Sequence, residues 1–225
     1  MDAISNVTSA KAIRLFYFWC AAFVVVAAVT AVSYQWLDRP IALAMHRAVV
    51  SREYGWWTML TRIPNPLIPL AVIVFVVLSI RLLRRRALGG IEVVAFVAAV
   101  ATLVTEVCKE QLKFLFGRSW PESWTGTNPS FIRDGIYGFH PLHGGNYNAF
   151  PSGHTATACA VLTVLWFHYP KAWPLWLPAG VAVAGGLVVL NYHFLSDVIA
   201  GAFLGVSIGL LVSAIWSAQF LNKED

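Results

Sequence analysis

Two histidines and an aspartate form the strongest chemical pattern in the sequence. His154 follows Ser152 and Gly153 directly before an apolar run, and His193 precedes Asp197 by four residues at the start of the last apolar run. Residues four apart share one face of a helix, so Asp197 is expected to hold one ring nitrogen of His193 while the other attacks. A histidine at a helix N-terminus, such as His154, is suited to protonate a leaving group. The pattern predicts phosphoryl transfer through a phosphohistidine; an interhelical hydrogen bond without chemistry is the simpler alternative.

A phosphoryl group also needs clustered donors, because its transition state spreads negative charge over three oxygens. Lys113 and Arg118 are the cationic candidates, one a point charge and the other a planar fork. Ser152 and Gly153 would present backbone N–H groups at a helix N-terminus, where the helix dipole favours an anion. These donors carry the charge without a metal ion or cofactor, and the carboxylates are not clustered as metal-dependent phosphatases require. The sequence therefore predicts a site with no metal and no cofactor.

The composition indicates a membrane protein, because 58% of the residues are hydrophobic and only 12% are charged. Apolar stretches of about 20 residues recur, long enough to cross a hydrocarbon core about 30 Å thick. We predict one all-α domain over 1–225, an integral membrane bundle of about six transmembrane helices with one long non-cytoplasmic loop. The net charge of +5 is attributed to topology, since no basic stripe with interleaved aromatic residues indicates nucleic-acid binding.

Hydropathy and length place the elements that must position these residues. The spans are expected at roughly 13–36, 66–83, 88–116, 153–168, 173–192 and 194–220. An amphipathic stretch at roughly 38–52 is expected to lie in the membrane interface. Residues 117–150 form the long loop, whose aromatic content favours order. Gly201, Gly205 and Gly209 are spaced by four and should allow close helix packing.

Charge distribution predicts the orientation in the membrane. An even number of spans puts both termini and most basic clusters on one side, which the positive-inside bias makes cytoplasmic. The basic residues on that side are Lys11, Arg14, Arg81, Arg84, Arg85, Arg86, Lys171 and Lys223. Arg118, the long loop and both histidines then converge on the non-cytoplasmic face, which argues for a single site. A bacterial cytoplasmic (inner) membrane is the expected location.

Three other ionisable residues have simpler interpretations. Lys109 is expected to extend its ammonium towards the lipid headgroups. Glu92 and Glu106 are expected to make polar contacts within the bundle.

Three stretches of the second half resemble the signatures of the type-2 phosphatidic acid phosphatases. These are 113–121, 151–154 and 193–197, within a region of roughly 109–205. That family comprises six-span membrane enzymes that remove phosphate from lipids, and it is related to soluble bacterial acid phosphatases and vanadium haloperoxidases. The resemblance implies a phosphohistidine at His193, a proton donor at His154 and an orienting carboxylate at Asp197.

The first motif departs from the family pattern. That pattern reads Lys, six residues, then Arg-Pro; counted from Lys113, Trp120 stands at the arginine position and Pro121 at the proline position. Arg118 lies two residues early, and we expect it to contact the phosphate from a shifted backbone.

The third motif departs as well. The family has Ser-Arg with the arginine six residues before the histidine, where this chain has Gly186 and Leu187. One phosphate-binding arginine is thus missing, and Arg133, His140 or His143 from the long loop is expected to supply the donor.

The resemblance implies a lipid phosphatase acting on a phosphate monoester or diphosphate. The family's substrates suggest isoprenyl diphosphates, phosphatidic acid, phosphatidylglycerol phosphate or a phosphorylated glycolipid, among which the sequence does not choose. A lipid phosphotransferase and a non-catalytic lipid-phosphate binder are the alternatives. The expected partners are the membrane and the substrate lipid, and the oligomeric state is left open.

Overall fold

A computed structural model describes residues 2–49, 59, 61–62, 64–123 and 127–220, and within these ranges the chain is helical without β-strands. A π-helix at Ser33–Leu37 joins the first two α-helices, and a 3-10 helix at Pro170–Ala172 precedes the seventh. This confirms the predicted all-α fold. The α-helices are α1 (Asp2–Val32), α2 (Asp38–Ala48), α3 (Leu67–Leu83), α4 (Gly90–Phe116), α5 (Phe131–Asp134), α6 (Gly153–His168), α7 (Trp173–Val189) and α8 (Leu195–Phe220).

The helices coincide closely with the predicted spans, but not all reach spanning length. Among the described residues, four helical segments are long and apolar enough to cross a membrane: Ile13–Ala48, Gly90–Phe116, Pro170–Val189 and Leu195–Gln219. Helices α3 and α6 have only 17 and 16 residues. The chain is therefore a multi-pass membrane protein, and its described residues contain four helices of spanning length, whereas about six spans were expected.

The amphipathic stretch predicted at 38–52 is largely a continuation of the first helix. The π-helix carries α1 into α2 without a break, and residues 50–52 lie outside the described ranges. Asp38 and Ala42, one turn apart on α2, are both buried. This face of α2 thus packs into the protein and brings a carboxylate with it.

The core lies where α4, α6 and α8 meet. Val97 and Ala101 of α4, Val164 of α6 and Ile208 of α8 belong to one buried cluster. Because lipid tails are as apolar as these side chains, close van der Waals packing stabilises such an interface.

The glycines of α8 permit its close approach to α6, as the sequence predicted. A Cβ on Gly201 would lie 2.5 Å from the Ser152 carbonyl oxygen, and one on Gly209 would lie 2.7 Å from that of Ala160. One glycine face thereby sets the distance between the two helices that begin at the predicted site.

Two chain reversals, the loop between α4 and α6 and the turn between α7 and α8, bring the chemically important residues to one end of the bundle. Helix α4 ends at Phe116, α6 begins at Gly153, and a turn at 190–194 connects α7 to α8. The cluster Arg84–Arg86 lies at the opposite end, between α3 and α4.

The loop after α4 is ordered over its described residues. Gly117 ends the helix with a φ of +55°, and a Cβ there would overlap the carbonyl of His140. Isolated bridges pair Arg118 with Phe139 and Trp120 with Ser130. The loop therefore folds back on itself and holds residues 118–120 in place.

Candidate active site

Both predicted catalytic histidines line one cleft of about 260 Å³. His154 reaches it from the first turn of α6, and His193 from the turn before α8. Three cationic side chains, Arg62, Lys109 and Lys113, line the same cleft. Imidazoles from separate elements thus face one cationic space, which can accept a phosphate-sized anion.

His193 and Asp197 lie together but do not share a helix face as the spacing predicted. Helix α8 begins at Leu195, so His193 belongs to the preceding turn. In this turn the Asp197 Oδ2 atom accepts a hydrogen bond from the Phe194 backbone N–H at 2.9 Å. The carboxylate, which lies in the first turn of α8, thereby caps the N-terminus of that helix. His193 Nδ1 lies 3.6 Å from Oδ2, and its side chain is only 4% exposed. The carboxylate therefore faces the ring nitrogen at a distance slightly longer than a hydrogen bond.

Arg118 lies behind this pair and not in the cleft, which corrects its expected contact with the phosphate. Its Nη1 atom donates to Asp197 Oδ1 at 2.8 Å, and its Nη2 atom donates to Asp38 Oδ2 at 2.6 Å. The guanidinium carbon lies 4.6 Å from the ring centroid of Phe194 and 4.9 Å from that of Phe139. Two carboxylates and aromatic faces compete better for a buried guanidinium than a solvated cleft does.

Electrostatics keep this guanidinium charged although it is fully buried. Burial disfavours the charge, but the carboxylates of Asp197 and Asp38 outweigh it and hold the pKa of Arg118 above its ordinary value. The neighbouring Tyr137 hydroxyl donates to the Tyr34 carbonyl, and burial raises the pKa of Tyr137.

His154 is held by a residue that sequence reasoning did not single out. Its Nε2 atom lies 2.8 Å from the Asn65 amide oxygen, which can only accept a hydrogen bond. In that arrangement Nε2 carries the proton and points into the cleft.

Ser152 and Gly153 divide the roles expected of them. Ser152 is fully buried, and its hydroxyl oxygen caps α6 by accepting from the Thr155 N–H at 3.4 Å. It does not line the cleft, whereas Gly153 does. A Cβ on Gly153 would lie 3.1 Å from the Lys109 Nζ atom, so the glycine lets this ammonium approach the backbone.

The two lysines of α4 are both at the cleft. Lys113 Nζ lies 2.8 Å from Glu110, as one turn of helix allows. Lys109 is 8% exposed and pairs with Glu106 at 2.7 Å, so it is not extended towards headgroups as predicted. Glu106 also accepts from the Thr157 hydroxyl, which is a polar contact within the bundle as expected.

Comparison with known proteins assigns the family. Residues 92–221 match the PAP2 superfamily, which is more than half of the chain. The chain belongs to the PAP2 superfamily. This confirms the resemblance that the three motifs indicated.

Two curated relatives of this PAP2 chain are lipid A 1-phosphatases. That of Porphyromonas gingivalis is 38% identical over 99 residues, covering 41% of this chain and 22% of that protein. That of Rhizobium johnstonii is 27% identical over 107 residues, covering 47% of this chain and 41% of that protein. The matches thus span less than half the length of either relative.

A solved structure shares the PAP2 fold. The transmembrane PAP2 type phosphatidylglycerolphosphate phosphatase from Bacillus subtilis superposes with a TM-score of 0.52 at 21% identity. The superposition covers 89% of this chain and 96% of that one. It supports the membrane-embedded helical fold.

Trp120 and Leu187, at the two positions where the PAP2 motifs have arginine, both line the cleft. The ring of Trp120 lies 5.1 Å from that of His193, and its Nε1 donates to the Asn146 carbonyl at 2.8 Å. In this PAP2 chain an aromatic and an aliphatic side chain therefore line the cleft at the two positions where the motifs have arginine side chains.

The long-loop residues predicted to replace the arginine missing from the third motif lie elsewhere. Arg133 and His143 line a separate cleft of about 430 Å³, and the His140 ring packs 4.4 Å from that of Tyr147. A side-chain hydrogen bond from the Arg133 guanidinium lowers the pKa of Asp134 to about 2. Arg133 is therefore held by its neighbour, in a different cleft from His154 and His193.

Sequence reasoning missed Asp38, Arg62 and Asn65. A carboxylate at the end of an apolar run, such as Asp38, is costly unless paired, and that cost was an available signal. Arg62 and Asn65 lie in the proline-rich segment before α3, which has no periodic pattern. Nothing in the sequence therefore indicated that they line the cleft.

Proposed function

We propose that this PAP2 protein is a membrane-embedded lipid phosphatase that hydrolyses a phosphate monoester or diphosphate through a phosphohistidine. The observation that carries the proposal is the meeting of His193 and His154 over one cleft lined by cations. The lipid phosphatases among its relatives support a lipid phosphate as the substrate class.

In the first step, Nε2 of His193 attacks phosphorus and the bond to the leaving oxygen breaks. Asp197 faces Nδ1, so it favours the tautomer with the proton there and stabilises the imidazolium that forms. His154 enters this step as an imidazolium, which the bound phosphate anion favours, and it gives the leaving oxygen the proton at its Nε2 atom. The lipid alcohol, or the lipid monophosphate from a diphosphate, departs.

In the second step, water attacks the phosphohistidine. His154, now neutral at Nε2, accepts a proton from that water, the P–N bond breaks, and inorganic phosphate leaves. His193 and His154 return to their starting protonation states, so the cycle consumes one water.

The positive charge that binds the phosphate comes from Lys109, Lys113 and Arg62. The backbone N–H of Gly153, at the start of α6, donates a further hydrogen bond to it. We propose that no metal takes part, because this cationic wall repels a divalent cation. Within the described ranges, no group of three or more His, Cys, Asp or Glu side chains is arranged to hold one.

The cleft is proposed to open on the non-cytoplasmic face of a bacterial cytoplasmic membrane. The Arg84–Arg86 turn and Lys171 lie at the other end of the bundle, as the positive-inside bias requires. The apolar tail of the substrate would then remain in the outer leaflet while its phosphate enters the cleft.

The test is release of free phosphate from a panel of purified lipid phosphates and diphosphates. His193→Ala and His154→Ala should each lower kcat at least about 100-fold without unfolding the protein. His168→Ala is the matched control, since His168 ends the same helix that begins at Gly153. EDTA should leave the rate unchanged.

Three outcomes would contradict the proposal in different ways. Wild-type rates in either histidine variant would remove the mechanism. A phosphorylated acceptor in place of free phosphate would make the protein a phosphotransferase. Binding without turnover across the whole panel would make it a lipid-phosphate binder.

A further inference from the structure

We propose that Asp38 and Arg118 form a buried clamp that positions the Asp197 carboxylate against His193. The inference rests on the proposed function, but the clamp is a separate assignment. Asp38 lies on α2, outside the residues 92–221 that match the family. Neither residue contacts the cleft, so both act through Asp197 as positioning residues.

The contacts fix both oxygens of Asp197. Arg118 holds Oδ1 at 2.8 Å, and the Phe194 N–H holds Oδ2 at 2.9 Å. With two bonds from different directions, the carboxylate cannot rotate about its terminal torsion, so Oδ2 stays turned towards His193. Removing the Arg118 bond would leave Asp197 one anchor and a choice of orientations.

Asp38 fixes Arg118 in turn. Its Oδ2 atom accepts from the guanidinium at 2.6 Å, and its Oδ1 atom accepts the Ser196 N–H at 3.0 Å. The Ser196 hydroxyl also accepts from Arg118 at 2.5 Å. The side chains of Asp38, Arg118 and Asp197 are all 0% exposed, so solvent does not compete for these bonds.

The charges of the clamp suit the chemistry. Two carboxylates face one guanidinium, so the buried group carries one excess negative charge beside His193. Attack on phosphorus turns the His193 ring into an imidazolium, whose positive charge balances that excess. Charge that is already in place where it develops in the transition state lowers the barrier without reorganisation.

The α1–α2 segment thereby gains a role in catalysis. Asp38 connects α2 to Arg118 in the loop after α4 and to Ser196 at the start of α8. The aromatic rings of Tyr34 and Phe194 pack against the Arg118 guanidinium. A displacement of α2 would therefore change the position of Asp197 beside His193 through the ion pairs Asp38–Arg118 and Arg118–Asp197.

Two substitutions test the clamp in the full chain in detergent. Asp38→Asn keeps the shape of the carboxylate but removes its charge, and Arg118→Lys keeps the charge but cannot bridge two carboxylates as a fork does. Each should lower kcat about 10- to 100-fold with KM changed less than about twofold, because positioning is lost while phosphate donors remain. The double variant should lose little more than the worse single one.

A spectroscopic readout separates positioning from simple destabilisation. Imidazole ¹⁵N NMR, with the His193 signals assigned by their loss in His193→Ala, should show one tautomer protonated at Nδ1 in the wild type. Both clamp variants should show a mixture of tautomers. Glu92→Gln is the matched control, since it removes a carboxylate from an ion pair with Arg81 at the far end of α4 and should leave kcat and tautomer unchanged.

Several results would overturn the clamp. Wild-type kcat or an unchanged tautomer in a folded Asp38→Asn or Arg118→Lys protein would do so. Loss of cooperative thermal unfolding in both variants would reduce the pair to a purely structural role and would also reject it. If His193→Ala retains full activity, the proposed function fails instead, which is a distinguishable outcome.

Discussion

At the scale of single residues, the three-dimensional position of an arginine, and not its spacing in a sequence motif, determines whether it can bind the phosphate. Arg62 enters the cleft from the segment before α3, whereas Arg118 and Arg133 are each bound to carboxylates outside it. A guanidinium facing solvent across a phosphate-sized space is the better candidate for an incoming anion.

Arg62→Ala is therefore expected to raise KM about tenfold, because it removes a charge-assisted contact to the phosphate. Arg133→Ala is the matched substitution and should leave KM unchanged, since its guanidinium already donates to Asp134 at 2.7 Å. Steady-state phosphate release from one soluble phosphate ester measures both. A raised KM for Arg133→Ala alone would favour the long-loop donor inferred from the sequence.

The residues of the cleft were only partly predictable. His154, His193 and Lys113 lie at helix ends, and hydropathy located those ends. Arg118 was misplaced because its partners Asp197 and Asp38 are 79 and 80 residues away in sequence. Which of several acceptors a buried arginine chooses depends on tertiary packing, and a single sequence does not contain that information in local form.

At the scale of elements, the packing of α6 on α8 determines the geometry at the mouth of the cleft. The Ser152 N–H donates to the Asp197 carbonyl at 3.0 Å and ties the two helix starts together. Hydropathy predicted the helix bounds well because apolar runs and breakers such as Gly117 act locally. It did not predict the unbroken path from α1 into α2, because an amphipathic segment fits either a membrane interface or a protein surface.

Gly205→Ala should separate these helices and destabilise the protein by about 1–3 kcal/mol. Its Cβ would overlap the Ala156 carbonyl and lie 2.9 Å from the Cys159 Cβ. Gly185→Ala on α7 is the control, because a Cβ there meets nothing within 4 Å and alanine favours the helix. Thermal unfolding in one detergent compares the two. Equal midpoints would show that the glycine face of α8 does not set the helix distance.

At the scale of the whole molecule, the bundle has two chemically different ends. The cleft and the long loop occupy one end, and Arg84, Arg85 and Arg86 occupy the other. Under the proposed function, the headgroup of the substrate must reach the cleft end, so the orientation in the membrane decides which leaflet supplies the substrate.

Leu142→Cys and Arg85→Cys, each in a background without the three native cysteines, report this orientation. Leu142 is 61% exposed in the long loop, so its replacement should react with a membrane-impermeant maleimide in cells whose cytoplasmic membrane is intact. Arg85→Cys should react only after permeabilisation, because the positive-inside bias keeps that turn in the cytoplasm. The opposite labelling pattern would place the cleft in the cytoplasm and restrict the enzyme to lipid phosphates of the inner leaflet.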